Sequence, residues 1–381
     1  MAETAAHLVD HIIPSVPVRQ WVLSLPIPLR ILFAAQPQLL APLLQAIHRV
    51  IATFLIKQAG FKHHQADTGA VTLIQRFGSA ANLNIHLHCL VLDGVYRNSE
   101  GVPVFHEVAA PTLEELQALL AKIITRIMRL LTRQGFLIEE QDRTYLAETA
   151  TGQVLTPLQA ASCTYRIALG PRAGQKVLSL QSLPSPDKSS TPDLCAKLHG
   201  FTLHAAVRWG ADQRQQLEHL CRYITRPAIA NERLKRNRAG QVVLQLKSAY
   251  KDGTTHIVME PLEFMQRLAA LVPRPRLHLI RFHGVLAPNA KLRREIIPRP
   301  PEQATEPSCD HAQSAPARMS WARLLKRVFD IDIEHCPNCG GSLKIIAAIE
   351  DPPVIVKILS HLGLPTRARR VRRRVESIYS R

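Results

Sequence analysis

The chain has 381 residues, 46% of them hydrophobic, and a formal net charge of +18 at pH 7. That length and apolar content exclude a disordered chain and suit either two domains or one large core with an appendage. The charge, with an isoelectric point near 10.1, points to a polyanionic partner, nucleic acid first, because Lys and Arg neutralise phosphates and release counterions.

Residues 1–62 read as a helical segment, with Leu43, Leu44, Ile47, Val50, Ile51, Phe54 and Leu55 on one helical face and Pro14, Pro17, Pro26 and Pro28 breaking the earlier part. The apolar stretch from Leu39 to Ile56 is interrupted by Pro42, His48 and Arg49, and no leader pattern opens the chain. The expectation is a cytoplasmic, nucleoid-associated protein with no membrane partner. Five of the seven cysteines are scattered without framework spacing, which argues against a disulfide scaffold.

A core is expected over 63–286. Ala70 to Phe77 and Leu83 to Leu92 read as strands joined by a tight antiparallel connection. Thr112 and Glu115 form a capping box that opens a long amphipathic helix through Leu116, Leu120, Ile123, Ile127 and Leu131, ending before Gly135. Strands follow at Thr164 to Leu169, Lys176 to Leu180 and Phe201 to Trp209, then a helix from Asp212 to Thr225 stopped by Pro227. Gln241 to Leu246 and Thr254 to Met259 make a hairpin, followed by a helix through Phe264, Leu268 and Leu271. Residues 287–320 are a Pro-rich basic linker, and 321–381 a small C-terminal module ending in a basic tail from Arg367.

Within the second strand, His86 and His88 are one residue apart, so both imidazoles leave the same face while Ile85, Leu87 and Cys89 pack behind. Such a pair can hold a divalent metal ion, or form a hydrogen-bonded surface pair. On the helix before Pro227, Tyr223 sits between Arg222 and Arg226, with His219 one turn earlier on the same side. A phenol flanked by cations can attack a phosphodiester, although most tyrosines pack their ring and bond their hydroxyl. Two imidazoles are too few ligands for a hard cation, so a third is expected, with Gln75 on the neighbouring strand and His219 as candidates. Cys336 and Cys339 in Cys336-Pro337-Asn338-Cys339-Gly340-Gly341 form half of a zinc knuckle, completed by Cys309, His311 or His335, or else a packed turn. Arg222, Arg226, Arg233, Lys235, Arg236, Arg274, Arg276 and Arg281 are placed for phosphate contact.

Taken together, Gln75-Arg76-Phe77-Gly78, His86-Leu87-His88, Cys221-Arg222-Tyr223-Ile224-Thr225-Arg226-Pro227, Tyr250-Lys251-Asp252-Gly253 and Leu271-Val272-Pro273-Arg274 occur in one order along the chain. In that order they resemble the rolling-circle transposases of the insertion sequence ninety-one family and its single-tyrosine common-region relatives. These are HUH endonucleases, and the resemblance implies an α+β fold with a ferredoxin-like or RNA-recognition-like antiparallel sheet and helices on one face. It implies Mg²⁺ or Mn²⁺ on His86 and His88, and Tyr223 as the nucleophile that forms a 5′-phosphotyrosine while nicking and rejoining single-stranded DNA. Single-stranded transposon ends and target DNA are the implied partners. Two-tyrosine members carry another tyrosine four residues before the one matched by Tyr223, where this chain has His219. Repeated use of Tyr223, or a homo-oligomer sharing the work, is therefore expected, with Tyr250 in a structural role. Relatives carry a cysteine-rich zinc segment upstream of a stretch like the one at Met1, and a shortened reading frame is the expectation here. An inactive DNA-binding relic or regulator, and a plasmid-type replication initiator, stand as alternatives.

Overall fold

Alternation organises the centre of the molecule. Along the histidine strand, Leu83–Leu92, residues Ile85, Leu87, Cys89 and Val91 enter one apolar cluster, whereas Leu90 and Leu92 enter a second on the opposite face. Antiparallel neighbours lie on both sides, Val18–Ser24 and Gly69–Phe77. The sheet runs in the order Cys195–Leu198, Phe201–His204, Val18–Ser24, Leu83–Leu92, Gly69–Phe77, Ile280–Gly284, with Arg208–Trp209 also pairing with Val18–Ser24. The computed structural model describes residues 1–97, 102–140, 143–147, 155–181, 194–250, 252–298, 319–337, 339–343 and 349–363. By contacts the chain divides into Met1–Asp310, which holds this sheet, and His311–Arg381.

The α+β class is what the chain adopts, but the expectation of helices on one face is corrected. Ile27–Ala35, Leu40–Gln58 and Leu113–Arg133 cover the face of Leu87, burying Phe33, Leu43, Ile47, Leu120 and Ile127 against it. Ala2–His11 and Arg214–Ile224 cover the other face with Leu8, Val9, Leu217, Cys221 and Ile224. The long second-layer helix starts where its sequence says, the Thr112 hydroxyl accepting from Glu115 N–H and the Glu115 carboxylate from Thr112 N–H. Pro37–Gln58 is long and apolar enough by composition to cross a membrane, but its apolar side chains are spent in this core.

Two further differences have local causes. The N-terminal stretch expected to be helical contains the strand Val18–Ser24, which lies next to the histidine strand. Proline at 14, 17 and 26 keeps that stretch extended, and pairing on both edges supplies its hydrogen bonds. The strand expected at Thr164 to Leu169 is replaced by the helix Thr156–Cys163 and a single bridge from Arg166 to Lys176. A second, smaller sheet of Leu234–Arg236, Val242–Gln245, Thr254–Met259 and Leu178–Gln181 includes the expected hairpin.

Candidate active site

The strand pairing places His86 in a row with Gln75 and Ser24, and His88 in a row with Leu73 and Val22. Their ring centroids are 4.9 Å apart with planes inclined at 63°. His86 Nδ1 lies 2.8 Å from the Asn84 carbonyl oxygen, which holds the proton on Nδ1 and leaves the Nε2 lone pair bare. His88 Nδ1 lies 2.8 Å from the side-chain amide of Gln20. Turning that nearly symmetric amide so that its oxygen accepts from Nδ1–H leaves the second Nε2 bare as well. Burial holds both imidazoles neutral, His88 down at about 3 with His86 and Arg226 adding to the effect, and His86 below its ordinary value, where Asn84 opposes and Arg30 adds. Neutral imidazole is the metal-binding form.

His88 Nε2 is buried with no hydrogen-bond partner. With its lone pair bare, beside a second neutral imidazole and in a sheet row that also holds Gln75, this nitrogen gives a donor set that fits a divalent ion. Gln75 stands next to His86 and donates its amide N–H to the Ile224 carbonyl at 3.0 Å, which leaves its side-chain oxygen as an acceptor. His219 is exposed on the outer side of its helix, and among the described residues no group of three His, Cys, Asp or Glu comes together. Of the two candidate third ligands, only Gln75 is a neighbour of the histidine pair.

The tyrosine helix, Arg214–Ile224, is seated by its apolar stripe and clamped by Arg214. That guanidinium donates to the Ile13 carbonyl at 2.7 Å, to Pro14 at 2.9 Å and to Val9, tying the helix to the end of Ala2–His11. Tyr223 follows at the last turn. Lys247 Nζ donates to its hydroxyl oxygen at 3.0 Å and stands 4.3 Å from the ring centroid. Arg226 lies over the ring at 4.2 Å and reaches the hydroxyl at 3.4 Å. The same Arg226 charge is felt at His88, and Gln75 ties the carbonyl after Tyr223 to the row of His86. One cation and one hydrogen bond thus join the phenol's surroundings to the histidine pair. A cleft of about 440 Å³ opens there between Gln75, Arg76, Phe77, Thr225, Arg226 and Leu271.

A family model described as "Putative transposase" matches residues 69–294, more than half of the chain. The chain belongs to that family. No curated protein and no solved structure matches it. The matched span of this transposase-family chain contains both histidines, Gln75, Tyr223, Lys247 and the Leu271 edge of the cleft, but stops short of Gln20 and of Val9, Ile13 and Pro14, which accept from Arg214.

The basic residues divide in use. Arg222 stands 3.7 Å from the Glu218 carboxylate, Arg233 donates to the Ser79 and Ala228 carbonyls, and Arg236 to Gly240. Lys235, Arg274 and Arg276 are exposed, and Arg281 is half-buried on the edge strand. Tyr250 sits apart from Tyr223 in a different apolar cluster, its hydroxyl 3.3 Å from Ser79 Oγ and 3.4 Å from the Tyr165 hydroxyl. Sequence reasoning missed Gln20, Lys247, Arg30 and Arg214. None lies in a motif, and only pairing across the sheet brings Gln20 to His88.

In the second unit Cys336 and Cys339 lie on a turn closed by Cys336 N–H to Gly341 O and Gly340 N–H to Cys336 O, both 2.8 Å. Neither is in a disulfide, and among the described residues no third ligand joins them. His335 Nδ1 is instead 3.1 Å from an Asp332 oxygen. Cys309, His311 and the basic tail from Arg367 lie outside the described residues.

Proposed function

We propose that this transposase-family protein nicks and rejoins single-stranded DNA at transposon ends, with Tyr223 as nucleophile. The observation that carries the reading is the junction at Arg226 and Gln75, which joins the tyrosine helix to the histidine pair. His86 and His88, with the Gln75 side-chain oxygen, would hold Mg²⁺ or Mn²⁺, which when bound neutralises a phosphate oxygen and orients the group for in-line displacement.

The phenol oxygen of Tyr223 attacks phosphorus as the bond to the 3′-oxygen breaks. One proton leaves Tyr223 and one ends on the released 3′-hydroxyl, so the phosphate remains a diester. Lys247 and Arg226 supply positive charge beside the nucleophile and the phosphate it attacks. Because the phosphotyrosine keeps the bond energy, a 3′-hydroxyl of another strand reverses the step and joins to the held end without ATP. A single tyrosine acts twice in succession, or two copies of the chain each supply one.

One gel tests this. Protein, single-stranded terminal DNA and Mg²⁺ or Mn²⁺ are expected to give a denaturant-resistant protein–DNA band that Tyr223→Phe abolishes. No band from the unmodified protein would instead support the DNA-binding relic, and a band that persists in the variant would remove Tyr223 from the role. Cleavage of a plasmid origin in preference to transposon termini would favour the replication initiator.

A further inference from the structure

The helices on the far side of the sheet carry a charge pattern that the active site does not use. Leu40–Gln58 contains Arg49 and Lys57 and no carboxylate, and the only acids of Leu113–Arg133 are Glu114 and Glu115 in its first turn. Past that turn come Lys122, Arg126, Arg129 and Arg133, all exposed, at spacings of four, three and four residues on one helix face. None of the four makes an ion pair among the described residues.

Like charges at this spacing destabilise a helix by a few tenths of a kcal/mol per pair. A surface helix ordinarily relieves that cost with interspersed acids, and here there are none. Between the two helices runs a groove of about 640 Å³ with Val50, Phe54 and Leu119 in its floor, Lys57, Lys122, Arg126 and Arg129 on its rim, and one carboxylate, Glu115, at the end nearest the helix start, where it accepts from the Gln58 amide. The groove belongs to the layer that covers Leu87, so the thickness of the sheet separates it from His86 and His88.

We propose that this groove is a second DNA surface, which takes the phosphate backbone of duplex DNA flanking the single strand that the active site handles. The cations from Lys122 to Arg133 span about 16 Å at 1.5 Å per residue, close to five base-pair steps of about 3.4 Å. The cations on the rim make phosphate the contact the groove favours. It has a single aromatic side chain, Phe54, half-buried and packed edge-on against Trp21 at 6.4 Å, and so lacks the succession of rings on which unpaired bases stack. Duplex DNA, whose phosphates face outward and whose bases stay stacked, matches a row of fixed cations better than a single strand does.

Binding of a blunt 20-base-pair duplex of arbitrary sequence, read by fluorescence anisotropy against salt, tests the surface without requiring any nicking. Lys122→Glu, Arg126→Glu and Arg129→Glu together should weaken duplex binding at least tenfold and reduce the salt slope by roughly 2 to 3 units. The milder Gln triple should move both in the same direction, and a thermal melt by circular dichroism confirms that each variant is folded. A control reverses three scattered exposed cations, Lys62, Lys176 and Arg323, to Glu, and should lose much less. Equal loss in the control overturns the proposal as a net-charge effect, and an unchanged slope in the groove variants overturns it outright. Loss of binding to vesicles containing anionic lipid, with duplex binding intact, would overturn it in favour of a membrane surface. Adduct formation on a short single strand is a separate readout, so failure of the Tyr223 reading leaves this result interpretable.

Discussion

The two faces of the histidine strand differ in almost everything except their backbone. On one, Ile85, Leu87 and Val91 are buried among aliphatic side chains from three helices, and Cys89 is held as a neutral thiol by burial, pushed up to about 11. On the other, His86 and His88 meet Gln75, Ser24 and Gln20, and a helix end brings Tyr223 with two cations around its hydroxyl. Residue alternation assigns adjacent positions to separate tasks, packing and polar chemistry, and a slip of one residue would exchange them. A site built this way is held rigidly because the same strand is anchored from behind.

The sharpest way to break the comparison is to remove one imidazole. His86→Ala should lower adduct formation by on the order of a thousandfold, the several kcal/mol expected from losing charge neutralisation at phosphate, while leaving the urea midpoint nearly unchanged. One position on, Leu87→Ala should do the reverse. It should cost about 2 to 5 kcal/mol of unfolding free energy, measured by urea titration, and leave activity intact wherever the protein is still folded. Gln20→Leu tests the link between the faces' neighbouring strands. Losing the bond that orients His88 should reduce activity by about 10 to 100-fold, recovered in part by raised Mn²⁺.

A pH dependence belongs to the packing face. His48 on Leu40–Gln58 and His283 on the edge strand stack at 5.1 Å. Burial holds them down at about 3 and about 4, with His283 beside His48 and Arg281 beside His283 adding to it. An unfolded histidine titrates near 6.5. Below that pH the unfolded chain binds protons that the folded one refuses, so the stability these groups contribute is present above about pH 6.5 and lost as pH falls toward 4 and 3. Unfolding free energies from denaturant titration should change little between pH 8 and pH 7 and fall by about 1 kcal/mol per group between pH 6 and pH 5, and His48→Gln should remove its share without changing nicking.

Local signals carried much of the fold. The histidine strand begins and ends where apolar alternation says, and the capping box at Thr112 and Glu115 opens its helix. The helix carrying Tyr223 was legible from Pro227, which ends it, although it begins at Arg214 with Gln213 rather than Asp212 at its N-cap. Val18–Ser24 was not, because Val18-Arg19-Gln20-Trp21 has no alternating pattern of its own. Its Arg19 is buried because Asp93 receives it at 2.8 Å and the Ala205 carbonyl at 3.1 Å, both far away in sequence. Lys247 and Arg30 were equally invisible as site residues, each being one cation among 48.

What the sequence determined alone is the set of candidate groups: two imidazoles one residue apart, a tyrosine between arginines, and a surplus of positive charge. Those depend on residue type and short spacing, which the strand and helix periods convert directly into faces. Only the tertiary structure decided that Gln20 orients His88, that Gln75 joins the histidine row to the tyrosine helix, and that Lys247 reaches the phenol. These contacts link residues 68, 149 and 24 positions apart. Their closure is fixed by burial of the whole sheet between two helical layers, and no local pattern encodes it.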